Sequence, residues 1–301
     1  MRIPPFNPYI ALIIGVISVS TSAVLVKLAA EAPTAIIGFY RLFLATLIMA
    51  PIILTNYRHE FRLIQKKNWI FIILAGVFLA LHFILWFESL NYTSVTSSVL
   101  FISILPLFAF LGTYLFLGER FSPGVVISMI IIIFGSVIIG WGDLQISGLA
   151  FFGDTLAIFG AIAMTAYLLF GQQTRKHVSL ITYTFIIYGI SSLTLFLYNV
   201  ILQNSFSGYS ADYWAIFAAL AIIPTFLGHS LFNWASRWLS NSTISMAIVL
   251  EPIGASILAY VILEETIASH QVLGGTIIIF GLLLFIISTS RKTKVTISRK
   301  K

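Results

Sequence analysis

Two histidine-bearing stretches carry the first chemical signal in this chain. His82, Trp86 and Ser89 stand at i, i+4 and i+7, which puts an imidazole, an indole and a hydroxyl on one helix face. His229, Asn233 and Ser236 build a matching face 147 residues later. A lone histidine in an apolar helix is ordinarily a packing residue with a local partner; two at matched positions point to a polar pathway or a helix contact. Imidazole titrates near neutral pH, so both histidines are also candidates for proton coupling. Arg41 lies about eight residues into an apolar run, roughly 12 Å deep by helical rise. It can hold a carboxylate of a solute, or it can be a structural guanidinium bonded to helix carbonyls or paired with Glu251. Glu251 sits mid-run, directly before Pro252, whose missing N–H frees a helix carbonyl. It can carry a proton, bind an amino group, pair with Arg41 or stay neutral and hydrogen-bonded. The candidate pathway set is therefore Arg41, His82, Trp86, His229, Asn233 and Glu251, with Glu251, His82 and His229 as candidate proton carriers.

The elements that must position these groups are set by composition and by a repeat. Hydrophobic residues make up 59% and charged residues 9% of the 301 residues. A soluble chain averages roughly 25% charged, so this one lacks the polar surface to face water on all sides. Its surroundings are lipid. Apolar segments of spanning length fall at 8–29, 33–55, 69–89, 92–116, 123–141, 148–171, 178–202, 212–235, 241–263 and 270–290. Ser122-Pro123 reads as a helix start, an N-cap followed by proline at the first helical position. The run from Pro8 is too long for the apolar core of a signal peptide and is read as a retained first helix.

With ten spans and a cytoplasmic N-terminus, 15 of the 17 Lys and Arg residues fall in inner segments, and the other two, Lys27 and Arg41, lie within helices. This asymmetry follows the positive-inside rule and places both termini inside. Lys27, about one turn from the outer end of the first span, is expected to snorkel to the interface. The excess positive charge (+7) thus reports membrane topology, not nucleic-acid binding.

The repeat continues beyond the histidines. After a one-residue deletion the spacing becomes 146, and Pro106 meets Pro252, Glu119 meets Glu265, and Ile131–Gly135 recurs letter for letter as Ile277–Gly281. A five-span unit is odd, so the second copy is inverted in the membrane. Leu105 stands opposite Glu251 and Trp86 opposite Asn233, so any role of Glu251 is asymmetric.

Several segments carry a family resemblance: Phe39-Tyr-Arg41, Leu90-Asn-Tyr-Thr-Ser94, Pro106 through Leu115-Phe-Leu-Gly-Glu119-Arg-Phe-Ser-Pro123, Gly153-Asp-Thr-Leu156 and Glu251-Pro252 through Leu263-Glu-Glu265. On these the chain resembles the drug/metabolite transporter superfamily, specifically its EamA-like ten-helix group. The resemblance implies an all-α integral membrane fold, ten helices as two inverted five-helix repeats around a central cavity. The repeats would span 8–141 and 148–290, followed by a basic cytoplasmic tail, 291–301. It also implies movement of small organic solutes, often outward, with amino acids, other metabolites and drugs as substrate classes.

The expected function is a secondary transporter exporting a small metabolite or drug by alternating access at the cytoplasmic membrane. A channel or scaffold is the alternative, and a lipid-modifying membrane enzyme a more distant one. No phosphate-binding loop, cysteine nucleophile or His-rich cluster is present, so no enzyme activity, cofactor or metal is expected. The expected partners are a small-molecule solute and membrane lipid, with no nucleic acid; a homodimer is compatible with the sequence, which carries nothing that decides it.

Overall fold

The computed structural model describes residues 7–108, 111–112, 122–174, 179–235 and 247–298. All regular structure among them is helical. The helices are α1 (Pro8–Leu28), α2 (Thr34–Ile52), α3 (Lys66–Ser89), α4 (Val95–Ser103), α5 (Pro123–Ile146), α6 (Gly148–Thr174) and α7 (Leu180–Ile201). Then come α8, which starts at Ala211–Leu220 and runs on through a π-helical stretch Ala221–Ser230 to Leu231–Ala235, α9 (Glu251–Leu263) and α10 (Ser269–Ser298). Eight of these are long and apolar enough to cross a membrane; α4 and α9 are the shorter apolar pair.

Local chemistry sets many of the starts. Asn7 caps α1 by accepting from the Tyr9 N–H, with Pro8 at the first position. Ser94 and Ser179 cap α4 and α7 in the same way. α5 begins at Pro123 after Ser122. At its other end α9 is closed by Glu264 in the left-handed conformation (φ 56). The second span overruns its expected end near residue 55, because past Pro51 the helix widens into a π turn (Ile53–Tyr57) and then tightens into a 3-10 segment (Arg58–Leu63).

Contacts at the helix ends establish the up-and-down order. Lys27 at the end of α1, the N–H of Val95 at the start of α4 and Glu265 after α9 meet on one face. At the other face Glu60, after α2, accepts from the N–H of Ser179 at the start of α7 (2.9 Å). The second face also bears the first and last described residues and the exposed Arg58, Arg62 and Lys66. It is called the terminal face here, and the first the far face.

Helix packing maps onto itself when the halves are exchanged. α3 packs on α6 as α8 packs on α1, and α4 lies on α6 as α9 lies on α1. Three further pairs, α5 with α10, α2 with α7 and α4 with α9, join equivalent helices across the axis. The identical pentapeptides meet here. A Cβ on Gly135 would lie 2.9 Å from Ile278 and 3.1 Å from Ile277. A Cβ on Gly281 would lie 2.8 Å from Ile132 and 3.1 Å from Ile131. Each glycine seats the isoleucine pair of the other copy, an isologous contact of the kind a twofold axis generates. Small residues let helix backbones approach closely where lipid offers no hydrophobic drive for association.

The bundle is apolar outside, and its largely apolar interior encloses a set of polar side chains. Ile13, Ile130, Phe134 and Val261 are exposed, while Ser18, Ser22, Arg41, His82, Ser97, Asp143 and Asp154 are buried. Backbone groups in hydrocarbon must be satisfied internally, which helices do, and polar side chains follow them inward.

Both short helices are interrupted at matched places. Ile104 leaves the helix at φ −78, ψ 3, two residues before Pro106. Leu250 does so at φ −80, ψ −11, two residues before Pro252. The expected ninth span, 241–263, is thus helical at 247–248, broken at 249–250 and helical again as α9 from Glu251; 241–246 lie outside the described residues. We predict that Gly135→Leu and Gly281→Leu each destabilise the protein by about 1–3 kcal/mol through overpacking. Thermal unfolding in detergent checks this, and the two penalties should match because the sites are equivalent.

Candidate functional site

Arg41 is the centre of the buried polar interior. Its guanidinium is 2% exposed. Nη1 donates to Ser22 Oγ of α1 (2.7 Å) and Nε to Thr225 Oγ1 of α8 (3.1 Å). The group lies over the Phe83 ring, 4.7 Å from its centroid. Among the described residues no carboxylate comes within ion-pair distance of it; the two ion pairs present are Lys27–Glu265 and His270–Asp143. Both sequence-based structural readings of Arg41, carbonyl bonding and a salt bridge to Glu251, give way to bonding through two hydroxyls.

Thr225 reaches Arg41 because α8 is irregular. Pro224 has no N–H to give, and the ladder widens to π geometry over Ala221–Ser230. Thr225 Oγ1 donates to the carbonyl of Leu220, five residues back (2.9 Å), and accepts from Arg41. His229 falls in the same widened stretch.

His82 is buried, and its Nδ1 lies 2.9 Å from the carbonyl oxygen of Gly160 on α6. A carbonyl only accepts, so Nδ1 carries the proton, and in the neutral ring Nε2 is an acceptor. Trp86 stacks on His82 (centroids 5.4 Å, 28°). Trp86 is 5% exposed, and its indole N–H has no hydrogen-bond partner among the described residues. Such a donor, buried without an acceptor, costs about 1–3 kcal/mol.

Electrostatic contact gathers the remaining groups. Glu251 of α9, Tyr188 of α7 and both histidines lie within electrostatic range of Arg41, and His229 within that of His82. Tyr188 in turn interacts with Tyr167 of α6. Glu251, His229, Tyr167 and Tyr188 are half-buried, whereas Arg41, His82 and Trp86 are covered. The Glu251 carbonyl accepts from Ser20 Oγ (3.2 Å), which ties the start of α9 to α1.

The structure therefore brings Arg41, His82, Trp86, His229 and Glu251 to one place between the halves. The backbone of Asn233 lies in the last segment of α8; its side chain, like all of Ser236 and Glu119, is outside the described residues. Thr225 and Tyr188 lie at this group and were not singled out from sequence, while Ser22, read from sequence with the other hydroxyls of the first span as a helix-contact residue, bonds Arg41. Pro224 was the available signal, a proline within a span with a hydroxyl next to it.

Other groups have structural roles. Lys27, expected to snorkel, makes a 2.8 Å ion pair with Glu265 and donates to the Thr93 carbonyl (3.3 Å). Tyr40 donates to the Phe206 carbonyl and stacks on Phe217. Two clefts lie away from the Arg41 group. One of about 300 Å³ is apolar and lined by α1 together with Ala247 and Leu250; one of about 410 Å³ opens at the far face around Glu31, Glu88 and Asn204.

This arrangement has known relatives. The model of the EamA-like transporter family matches residues 7–141 and again 151–287. An uncharacterized transporter of Bacillus subtilis (strain 168), YxxF, is 26% identical over 260 residues, covering 86% of this chain and 83% of its own. An uncharacterized transporter of Archaeoglobus fulgidus is 21% identical over 275 residues, covering 91% of this chain and 94% of its own. One solved crystal structure superposes with a TM-score of 0.64 at 15% identity, over 94% of this chain and 98% of that one, and so shares its fold. The chain belongs to the EamA-like transporter family and is a multi-pass membrane protein.

The His82–Gly160 bond generates a prediction. His82→Phe should lose about 1 kcal/mol of stability, while His82→Asn, whose amide keeps a donor near the Nδ1 position, should lose less. Thermal unfolding of the two variants side by side checks it.

Proposed function

We propose that this protein is a secondary transporter that exports a small zwitterionic metabolite, an amino acid or a close relative, across the cytoplasmic membrane by alternating access. The observation that carries the reading is a buried guanidinium with no carboxylate partner among the described residues, flanked by half-buried Glu251. A charge at the bilayer centre costs about 2.5–3.5 kcal/mol on insertion scales, so an unpaired one calls for an anionic ligand. A solute carboxylate answers Arg41, with two parallel hydrogen bonds available from the guanidinium fork. Its ammonium answers Glu251, and the free Trp86 N–H supplies one more donor. The Phe83, Trp86 and Tyr188 rings supply apolar surface for a side chain.

Interrupted helices in matching positions of two inverted repeats support alternating access, because such breaks mark midplane sites in transporters of this build. Rocking of the halves about the α5–α10 and α2–α7 contacts would expose the Arg41 group to one face and then the other. Exposed Arg58, Arg62 and Lys66 on the terminal face support cytoplasmic termini. In the present conformation Arg41, His82 and Trp86 are covered, as an occluded state requires.

No nucleotide site is needed, since a proton or solute gradient can drive the cycle, and Glu251 and the two histidines are the groups able to carry the proton. The test is uptake of a panel of labelled amino acids and related solutes into proteoliposomes. A zwitterionic solute should be transported, and Arg41→Gln should raise its half-saturation concentration roughly 10- to 100-fold, the worth of one charge-assisted hydrogen-bond pair. Glu251→Gln should abolish uptake driven by a pH gradient yet leave solute exchange intact. No flux of any panel member, or single-channel conductance in a planar bilayer, contradicts the reading.

A further inference from the structure

Two polar atoms near Arg41 remain once a zwitterion's carboxylate and ammonium have been assigned. One is the indole N–H of Trp86, a residue 5% exposed whose N–H has no acceptor among the described residues. The other is Nε2 of His82, a residue 4% exposed. Its Nδ1 is committed to the Gly160 carbonyl at 2.9 Å, so Nε2 of the neutral ring can only accept. No donor meets that Nε2 among the described residues. A free donor and a free acceptor therefore stand on neighbouring rings in the covered interior of the bundle.

The fold holds the two rings together. His82 and Trp86 stand one helical turn apart on α3 and stack with centroids 5.4 Å apart and planes at 28°. Phe83 lies 5.1 Å from the His82 ring, and Phe87 lies 5.2 Å from the Trp86 ring. Gly160 lets α6 come close on the remaining side. A Cβ there would lie 3.4 Å from the Trp86 nitrogen of the backbone and 3.3 Å from Ile102 Cδ1. The same glycine presents the carbonyl that orients the imidazole. Dense packing of this kind fixes the direction of both rings. The Phe83 ring also links them to Arg41: its centroid is 4.7 Å from the guanidinium and 6.3 Å from the Trp86 ring. Those separations keep both residues within reach of one amino-acid solute that makes a hydrogen bond of roughly 3 Å at each end.

We infer, on the transport reading of the Arg41 site, that Trp86 and His82 are its specificity-determining pair and select solutes whose side chain ends in a neutral hydrogen-bonding group, a hydroxyl or a carboxamide. A hydroxyl accepts from the Trp86 N–H and donates to His82 Nε2 through one oxygen. A carboxamide does the same with its carbonyl oxygen and its NH2 group. An apolar side chain leaves both protein atoms unpaired, and a site built to hydrogen-bond a substrate OH or NH rejects the analogue that lacks it. Charged side chains satisfy only half of the pair: an ionised carboxylate has no proton for Nε2, and an ammonium has no lone pair for the indole N–H. The second copy does not repeat the pair, because Asn233 stands at the position of Trp86. Selection of the side chain is thus a property of the first half.

The test is competition in proteoliposomes, with the labelled amino acid of largest flux as tracer and unlabelled near-isosteric pairs as competitors: threonine against valine, and glutamine against methionine. In the wild type the polar member of a pair should half-inhibit at a concentration roughly 10- to 100-fold lower than the apolar member. Trp86→Phe keeps a ring and removes the N–H, and should shrink that preference to about threefold or less. The variant should still discriminate against competitors that lack the carboxylate or the ammonium, which separates loss of this pair from general damage to the site. Should Trp86→Phe not fold, His82→Asn decides, since it keeps a donor for the Gly160 carbonyl and deletes the Nε2 acceptor. Equal inhibition within both pairs in the wild type overturns the inference and leaves the transport reading standing. A polar preference that survives both substitutions overturns it as well. Absence of flux for every zwitterion overturns the transport reading and the side-chain selection together.

Discussion

A guanidinium sealed in the middle of a lipid-embedded bundle, with hydroxyls as its hydrogen-bond partners, is the constraint to which the rest of this structure answers. Arg41 keeps its charge in every environment a protein offers, so the surroundings must accommodate it. Ser22 and Thr225 supply acceptors without neutralising it, and the Phe83 face supplies a weak electrostatic partner. Thr225 is within reach only because Pro224 and the π-helical stretch distort α8. The price of that irregular helix is therefore tied to the Arg41 site, and the same stretch carries His229. A salt bridge to Glu251 would have been the simpler solution. Its absence among the described residues leaves the positive charge without a carboxylate partner there, which is the opening the proposed solute would fill.

Under the proposed alternating access, the duplicated architecture supplies the means for the site to change sides. Gly135 and Gly281 seat the isoleucines of the opposite copy, which gives the halves a close, symmetric contact. The breaks at Ile104 and Leu250 share one backbone conformation and precede equivalent prolines. Asymmetry then enters at chosen places. Glu251 occupies the position that Leu105 holds in the first copy. Symmetric scaffolding with asymmetric charge suits a carrier that must treat the two sides of a membrane differently.

Much of this was legible in the sequence because membrane proteins write their fold in hydropathy and charge. The repeat was visible as identical letters, and the structure turns Ile131–Gly135 and Ile277–Gly281 into a physical contact. Arg41, His82, Trp86, His229 and Glu251 stood out because polar groups in hydrocarbon are costly, and the structure gathers them. Thr225 and Tyr188 did not stand out and Ser22 read as a helix contact, since hydroxyls are common in spans and only the fold reveals which ones meet Arg41. The ion pair of Lys27 was hidden for a related reason. Its depth near the helix end suits snorkelling, but Glu265 arrives from a connection 238 residues later and captures it.

The central claim is that one site around Arg41 is reached alternately from the two faces. The chain contains no cysteine, so Tyr188→Cys provides a single reactive thiol beside that site. Labelling by a membrane-impermeant maleimide can be measured in right-side-out and inside-out vesicles. The account predicts labelling from both sides, slowed from both by the transported solute. Labelling from one side alone, with and without solute, would contradict it.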